Sequence, residues 1–271
     1  MTVQTDADVL NKQTLTDAEL LRYARQVLLE GWDIEAQLRL KSARIVMIGA
    51  GGLGCPASET LVRAGLGQVH LIDDDEIEAS NLQRQTLFLP ADIGKSKALT
   101  AAKMLKQINP LISARGSVAR LTDDNAYELL GMATGKPDLL LDCTDNFATR
   151  DMINRVSVRY QIPLLSASAI AMQGQLALFE PQLNSGCYHC VFGSADTADD
   201  RARDERTCAH SGVLASTTAI MGNLQANAAL QYLGLTKNPL TGKLLLWDGS
   251  RMQQRLMGYR ADPQCTVCAT A

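Results

Sequence analysis

The stretch ARIVMIGAGGLGC (residues 43–55) passes from an apolar segment through a run of glycines into a helical pattern. Gly49, Gly51, Gly52 and Gly54 fall where the strand would meet the helix. There the turn can bring backbone N–H groups and the positive end of a helix against phosphate oxygens. No Gly-Lys-Ser or Gly-Lys-Thr ending follows, which excludes a P-loop. A tight packing turn is the plain alternative, and the flanking segments weigh against it. RIVMIG reads as a strand, residues 53–64 as a helix and QVHLID as a second strand, which together make a βαβ unit.

The alternation continues outward. A helical segment around KSKALTAAKMLKQI stops at Asn109-Pro110, as a helix does before proline. DLLLDCT reads as a strand, NFATRDMINRVSVRY as a helix and PLLSAS as a short apolar strand. This is the pattern of an α/β, Rossmann-like doubly wound, mostly parallel sheet. On the N-terminal side, Thr16 and Glu19 form a capping-box pattern opening an amphipathic helix, LLRYARQVLLEGW, on which Arg22 and Arg25 lie about one turn apart. Towards the C-terminus, GQLALFEP reads as a strand that can run antiparallel, and GSADTADDRARDERTCAHSG as a polar, charge-rich loop. A helix over residues 213–233, the strand KLLLWD and a second run QQRLMGY complete the pattern. With no repeat or linker, the expectation is a polar extension over residues 1–14 and a single domain over 15–271.

The segment LIDDDEIEASNLQRQ (residues 71–85) asks more of this site than a nicotinamide or flavin would. Asp73 follows the glycine turn at the spacing of a carboxylate on ribose hydroxyls. One such residue suffices for hydride transfer, yet Asn81, Arg84 and Lys97 follow. Each alone reads as a surface residue. Together, beside a glycine turn, an amide and two cations suit a polyphosphate and suggest chemistry at phosphorus. LLLDCTDN places Asp142 and Asp145 just past the carboxyl end of a central strand. A carboxylate there can hold Mg²⁺ between phosphates, and helix capping by Asp145 or Asn146 is the alternative.

A net charge of −3 with scattered cations gives no footprint for nucleic acid, and 4% aromatic residues argue against a base-stacking platform. No apolar run approaches the roughly 18–20 residues of a membrane span, and the N-terminus lacks a signal-peptide pattern, so a cytoplasmic location is expected. Seven cysteines without an export signal argue against a disulfide framework. Cys187-x-x-Cys190 and Cys265-x-x-Cys268 offer the four thiolates of a tetrahedral structural Zn²⁺, with His189 a bystander; two unrelated thiol pairs are the alternative. Cys208 is unpaired, near Arg201, Arg203 and Arg206, cations that favour a thiolate. Cys55 and Cys143 are expected to be buried and inert, and the long helix to serve core or dimer packing.

In this order along the chain, LLRYARQ, GAGGLGCPASETLVRAG, DDDEIEASNLQRQTLF, GKSKA, LDCTDNFATR and ASAIAMQGQL, with the two Cys-x-x-Cys pairs, resemble the HesA/MoeB/ThiF family of adenylyltransferases. These are bacterial relatives of the ubiquitin-activating enzymes. The resemblance covers residues 15–268 and lies nearest the molybdopterin branch, with the thiamine branch a near second. It implies that Gly52 lies against the nucleotide phosphates, Asp73 binds ribose, and Asn81, Arg84 and Lys97 contact the phosphates. Asp145 would serve the catalytic Mg²⁺ and the reaction centre, and Arg25 would reach the γ end of ATP from the other subunit of a homodimer.

The implied reaction is attack by the C-terminal glycine carboxylate of a small ubiquitin-like sulfur carrier, MoaD-like or ThiS-like with a Gly-Gly end, on the α-phosphorus of MgATP. An acyl-adenylate and pyrophosphate result. No rhodanese-like segment follows Cys268, so a separate protein is expected to donate sulfur. A cysteine at the place of Cys208 can take part in sulfur handling in ThiF-like relatives, whereas adenylation does not require it, and its role stays open. A nicotinamide-dependent oxidoreductase would leave Asn81, Arg84 and Lys97 without a purpose. A zinc-stapled interaction module without catalysis is the third reading.

Overall fold

Ile45, Val46, Met47 and Ile48 are each at most 4% exposed. The segment reads as an unbroken apolar run because β1 (Arg44–Ile48) is covered on both faces. The computed structural model describes residues 14–193, 212–238 and 240–269. Eight strands form one sheet in the order β3-β2-β1-β4-β5-β6-β7-β8. β1 pairs in parallel with β2 (Gln68–Ile72) on one side and β4 (Leu139–Asp142) on the other, Ile45 standing opposite both Val69 and Leu139. β3 (Ser113–Ser117) and β5 (Leu164–Ile170) extend the parallel part at either end. β6 (Gln173–Phe179), β7 (Lys243–Asp248) and β8 (Gln253–Gly258) add an antiparallel meander.

Alternate residues of β1 feed two cores, as the strand period requires. Ile45 and Met47 join a cluster with Leu61 of α3 (Gly54–Ala64), Leu105 of α4 (Lys97–Ile108) and Met221 of the long central helix (Ala215–Leu235). Val46 and Ile48 face Ile153 and Val156 of the helix Phe147–Tyr160. Sequence order reverses between β1 and β4, and at that switch point an open α/β sheet leaves a crevice at its carboxyl edge.

Thr16 and Glu19 form the expected capping box, Glu19 N–H donating to Thr16 Oγ1 at 3.3 Å and Thr16 N–H to Glu19 Oε2 at 2.7 Å. The helix does not run on through Trp32. α1 spans Asp17–Val27, Gly31 turns the chain at φ +82°, and α2 (Ile34–Ser42) starts on Asp33, whose Oδ1 accepts from Ala36 N–H at 2.8 Å. That second helix and β3 were not anticipated. β3 reads SARGS, in which only Ala114 is buried, so an edge strand carries no apolar signature. The antiparallel reading of GQLALFEP holds, with Ile170 opposite Gln173 across the hairpin. Among the described residues no helix is long and apolar enough to cross a membrane.

Further along the chain stand α5 (Phe147–Tyr160), α6 (Tyr188–Phe192) and α7 (Ala215–Leu235).

Candidate active site and metal centre

At the carboxyl edge a cleft of about 910 Å³ opens over the switch point. Its floor is the glycine turn after β1. Gly49 adopts φ +94°, and a Cβ there would lie 2.8 Å from the Cys143 carbonyl oxygen, so only glycine lets β1 and the segment after β4 come this close. Gly51 and Gly52 line the cleft, and the stem of Arg84 lies across Gly52, its Cγ and Cδ 3.3 Å from where a Cβ would stand. Gly54 is not part of the lining. It closes the turn instead, since a Cβ on it would lie 2.2 Å from the Gly49 carbonyl oxygen.

Asp73 directly follows β2 and faces that turn. Its Oδ2 accepts from Ala50 N–H at 2.7 Å and its Oδ1 from Asp75 N–H at 2.9 Å. Burial lifts this carboxyl above the ordinary range, while the two amide donors and the Lys97 cation act against that rise. Lys97, the first residue of α4, is 7% exposed and bonds Asp75 Oδ2 at 2.8 Å. Asn81 closes a 3-10 turn (Ala79–Asn81), buried, with Oδ1 accepting from Glu78 N–H at 3.3 Å. Arg84 donates to Ser80 O at 3.2 Å. Asp73, Asn81, Arg84 and Lys97 thus line one wall of the cleft, as the glycine turn lines its floor.

The two carboxylates at the carboxyl end of β4 divide, Asp142 closing the strand and Asp145 lying three residues beyond. Asn146 caps α5, its Oδ1 accepting from Thr149 N–H at 2.9 Å, which leaves Asp145 exposed in the cleft. Asp142 is not available to a metal. It is 1% exposed, and its oxygens accept from Thr144 Oγ1 at 2.6 Å, Thr144 N–H at 3.0 Å and Ser166 Oγ at 2.6 Å.

Arg25 lies elsewhere. Its neighbours Arg22 and Gln26 donate to the carbonyls of Ile108 at 2.5 Å and Ala64 at 3.1 Å, the last residues of α4 and α3. Tyr23 bonds Asn109 at 2.9 Å. α1 therefore sits at the edge of the sheet opposite the cleft. An eleven-residue α3 is about 16 Å long, beyond an arginine's reach. Arg25 is exposed there.

The cysteine pairs do meet. The sulfurs of Cys187, Cys190, Cys265 and Cys268 lie within 4.8 Å of one another. Asp262 N–H approaches Cys190 Sγ, and Cys268 N–H approaches Cys265 Sγ, each at 3.4 Å, the donors expected around thiolates. Four converging sulfurs with N–H donors behind them can hold a metal ion, and the chemistry of the set suits Zn²⁺. His189 stands apart, its Nε2 3.4 Å from Thr266 Oγ1. Cys55 and Cys143 are buried, and burial pushes the Cys55 thiol up to about 12. Cys208 and its neighbouring arginines lie outside the described residues.

The cleft also contains groups to which the sequence assigned no role. Arg150, Tyr188 and Phe192 form part of its lining, and Arg251 and Arg255 reach it from the β7–β8 hairpin. Arg150 lies inside the quoted string LDCTDNFATR, which was the available signal; the hairpin arginines carry none, because only tertiary pairing brings that end of the chain to the site.

A family model described as the ThiF family matches residues 23–267. Molybdopterin-synthase adenylyltransferase of Salmonella typhimurium is 39% identical over 257 residues, covering 94% of this chain and 98% of its own. The sulfur carrier protein ThiS adenylyltransferase of Escherichia coli is also 39% identical, over 254 residues, covering 94% and 97%. Among solved structures, Escherichia coli MccB with ATP aligns at a TM-score of 0.78 and 26% identity, over 92% of this chain and 74% of that one.

Proposed function

The chain belongs to the ThiF family, and from that premise we propose that it is an ATP-dependent adenylyltransferase. It activates the C-terminal glycine carboxylate of a small ubiquitin-like sulfur carrier, and we place it in molybdopterin biosynthesis. The observation that carries this reading is the convergence of Gly49, Gly51, Gly52, Asp73, Asn81, Arg84, Lys97 and Asp145 on one cleft at the switch point.

In this reading the glycine turn and the N-terminus of α3 receive the nucleotide phosphates, and Asp73 exchanges an amide partner for a ribose hydroxyl. Asn81, Arg84 and Lys97 contact the phosphate oxygens. Asp145 would hold a Mg²⁺ ion, whose charge would offset that of the phosphates. A carboxylate attacking an anionic α-phosphorus needs alignment and charge neutralisation rather than a general base, which suits a wall of one amide and two cations. The attack forms the acyl-phosphate bond and breaks the α–β bond, and pyrophosphate leaves with the electron pair. Zn²⁺ in the four-cysteine centre is structural.

The test is ATP–pyrophosphate exchange by the purified protein with a molybdopterin-type carrier, a thiamine-type carrier and each carrier lacking its terminal glycine. Exchange with the intact molybdopterin-type carrier alone is expected. Exchange with only the thiamine-type carrier would move the protein to that pathway, a reading supported by the equal identity of the two relatives. No exchange with either would overturn the adenylation. Lys97→Ala and Arg84→Ala should each lower the exchange rate by on the order of 10²-fold or more, the effect of removing one preorganised charge at a reacting phosphate.

A further inference from the structure

The four-cysteine centre and the cleft share a wall. Cys187 precedes α6, and its next residue, Tyr188, faces the cleft while being only 3% exposed. One side chain spans the two sites. Asn154 of α5 is 1% exposed; its Nδ2 donates to Cys187 Sγ at 3.4 Å, and its Oδ1 accepts from Tyr188 N–H at 3.0 Å. Both ends of the carboxamide are therefore committed, one to a cysteine sulfur and one to the backbone of a cleft residue.

Beyond Tyr188 the connection continues. Its ring packs between Phe179, at a centroid distance of 6.1 Å, and Phe192, at 4.5 Å, and Phe192 also lines the cleft. The buried Arg150 guanidinium lies within electrostatic reach of the Tyr188 hydroxyl, and both side chains line the cleft. Arg150 in turn lies 3.8 Å from Asp142 and donates to the Thr144 carbonyl, directly before the exposed Asp145. This chain of contacts runs from sulfur through buried side chains to the Thr144–Asp145 segment of the cleft. A buried polar network whose members are all engaged holds its geometry as a unit.

We propose that Asn154 and Tyr188 are positioning residues through which the loaded four-cysteine centre sets the placement of Arg150 and of the Thr144–Asp145 segment in the cleft. The inference rests on the metal-binding part of the function proposed above. It differs from a staple, which would tie down only the C-terminal tail. By linkage, a ligand that orders the cleft wall must then tighten the hold on the metal by the same factor.

The experiment uses the full chain loaded with Zn²⁺ and has two arms. In the first, hydrogen exchange is compared before and after chelation. Faster exchange is expected in residues 187–193 and also in residues 143–150. Tyr188→Phe, which keeps all four cysteines and nearly the same volume, should quicken exchange in residues 143–150 with Zn²⁺ still bound. Quickening confined to residues 187–193 and 259–269 would overturn the proposal, as would a chain that binds no metal.

In the second arm a chromogenic chelator reads the rate of Zn²⁺ release with and without a non-hydrolysable ATP analogue, whose binding is measured independently by calorimetry. The analogue should slow release several-fold in the wild type and leave it unchanged in Tyr188→Phe and Asn154→Ala. An equal slowing in all three proteins would overturn the proposal. Failure of the analogue to bind would instead count against the adenylyltransferase reading, while the first arm still decides the coupling.

Discussion

At the level of single residues, chemical type is less decisive than the space around it. Gly52 and Gly54 are adjacent members of one motif, yet the first faces the cleft and the second fills the turn. A Cβ on Gly54 would meet a backbone oxygen at 2.2 Å, which no side-chain adjustment can relieve. Gly54→Ala should destabilise the protein by roughly 1–3 kcal/mol, read as a lower urea midpoint.

His70 makes the same point for charge. It lies buried in β2, bonding Ser117 Oγ at 2.8 Å and Arg115 at 3.1 Å. Burial and then the Arg115 cation bring its pKa down to about 4. Because the folded value is below that of the unfolded chain, the unfolded state takes up the proton first as pH falls. Stability is therefore full above about pH 6.5 and declines as pH drops towards 4. Across that window His70→Gln should flatten the slope of unfolding free energy against pH, by on the order of 3 kcal/mol at its lower end. An unchanged slope would contradict the buried, neutral imidazole.

At the level of elements, short pieces hold the site where longer ones cannot. α6 has five residues, too few to be stable alone, and its position comes from Cys187 on one side and Tyr188 on the other. The segment after β8 is equally short of apolar support: Val158, Cys187 and Cys265 are the buried members of its small cluster. A metal ion held by the four cysteines would supply what that cluster lacks. Cys268→Ser should abolish stoichiometric Zn²⁺ binding and open residues 259–269 to limited proteolysis, while the fragment containing β1 to β5 resists cleavage. The other exposed element, β8, has all six residues open to solvent, although its ladder to β7 runs from Lys243↔Gly258 to Asp248↔Gln253. The run itself was visible in the sequence, but not the fact that the hairpin carries Arg251 and Arg255 to the cleft.

At the level of the whole molecule, α1 and the cleft occupy opposite edges of the sheet. If Arg25 acts on nucleotide, it acts on that of another copy, and the exposed Leu21, Leu28 and Leu29 around it offer an apolar surface for such an association. The consequence can be measured by mixing. Arg25→Ala and Lys97→Ala should each be nearly inactive alone in pyrophosphate exchange. An equimolar mixture that re-equilibrates should recover activity, because half of the dimers then hold one cleft intact in both residues. Recovery absent from a mixture shown to form mixed dimers would place Arg25 outside the reaction.

The sequence by itself determined four of the five parallel strands, the glycine turn and the amide and two cations that follow it. These rest on local rules: strand and helix periods, the helix stop before Pro110, the capping box at Thr16, and residues close together in the chain from Gly49 to Lys97. It also supplied the four thiols in two spaced pairs. Tertiary structure decided what depends on distant parts of the chain. It joined Cys187 to Cys265 at 3.7 Å, buried Asp142 under Ser166 and left Asp145 open, removed Gly54 from the cleft, and brought Tyr188 and Arg150 together on its wall. The physical reason is that burial and hydrogen-bond partnership belong to neighbours in space. No period or spacing along a chain records which of two nearby carboxylates will find its partners inside.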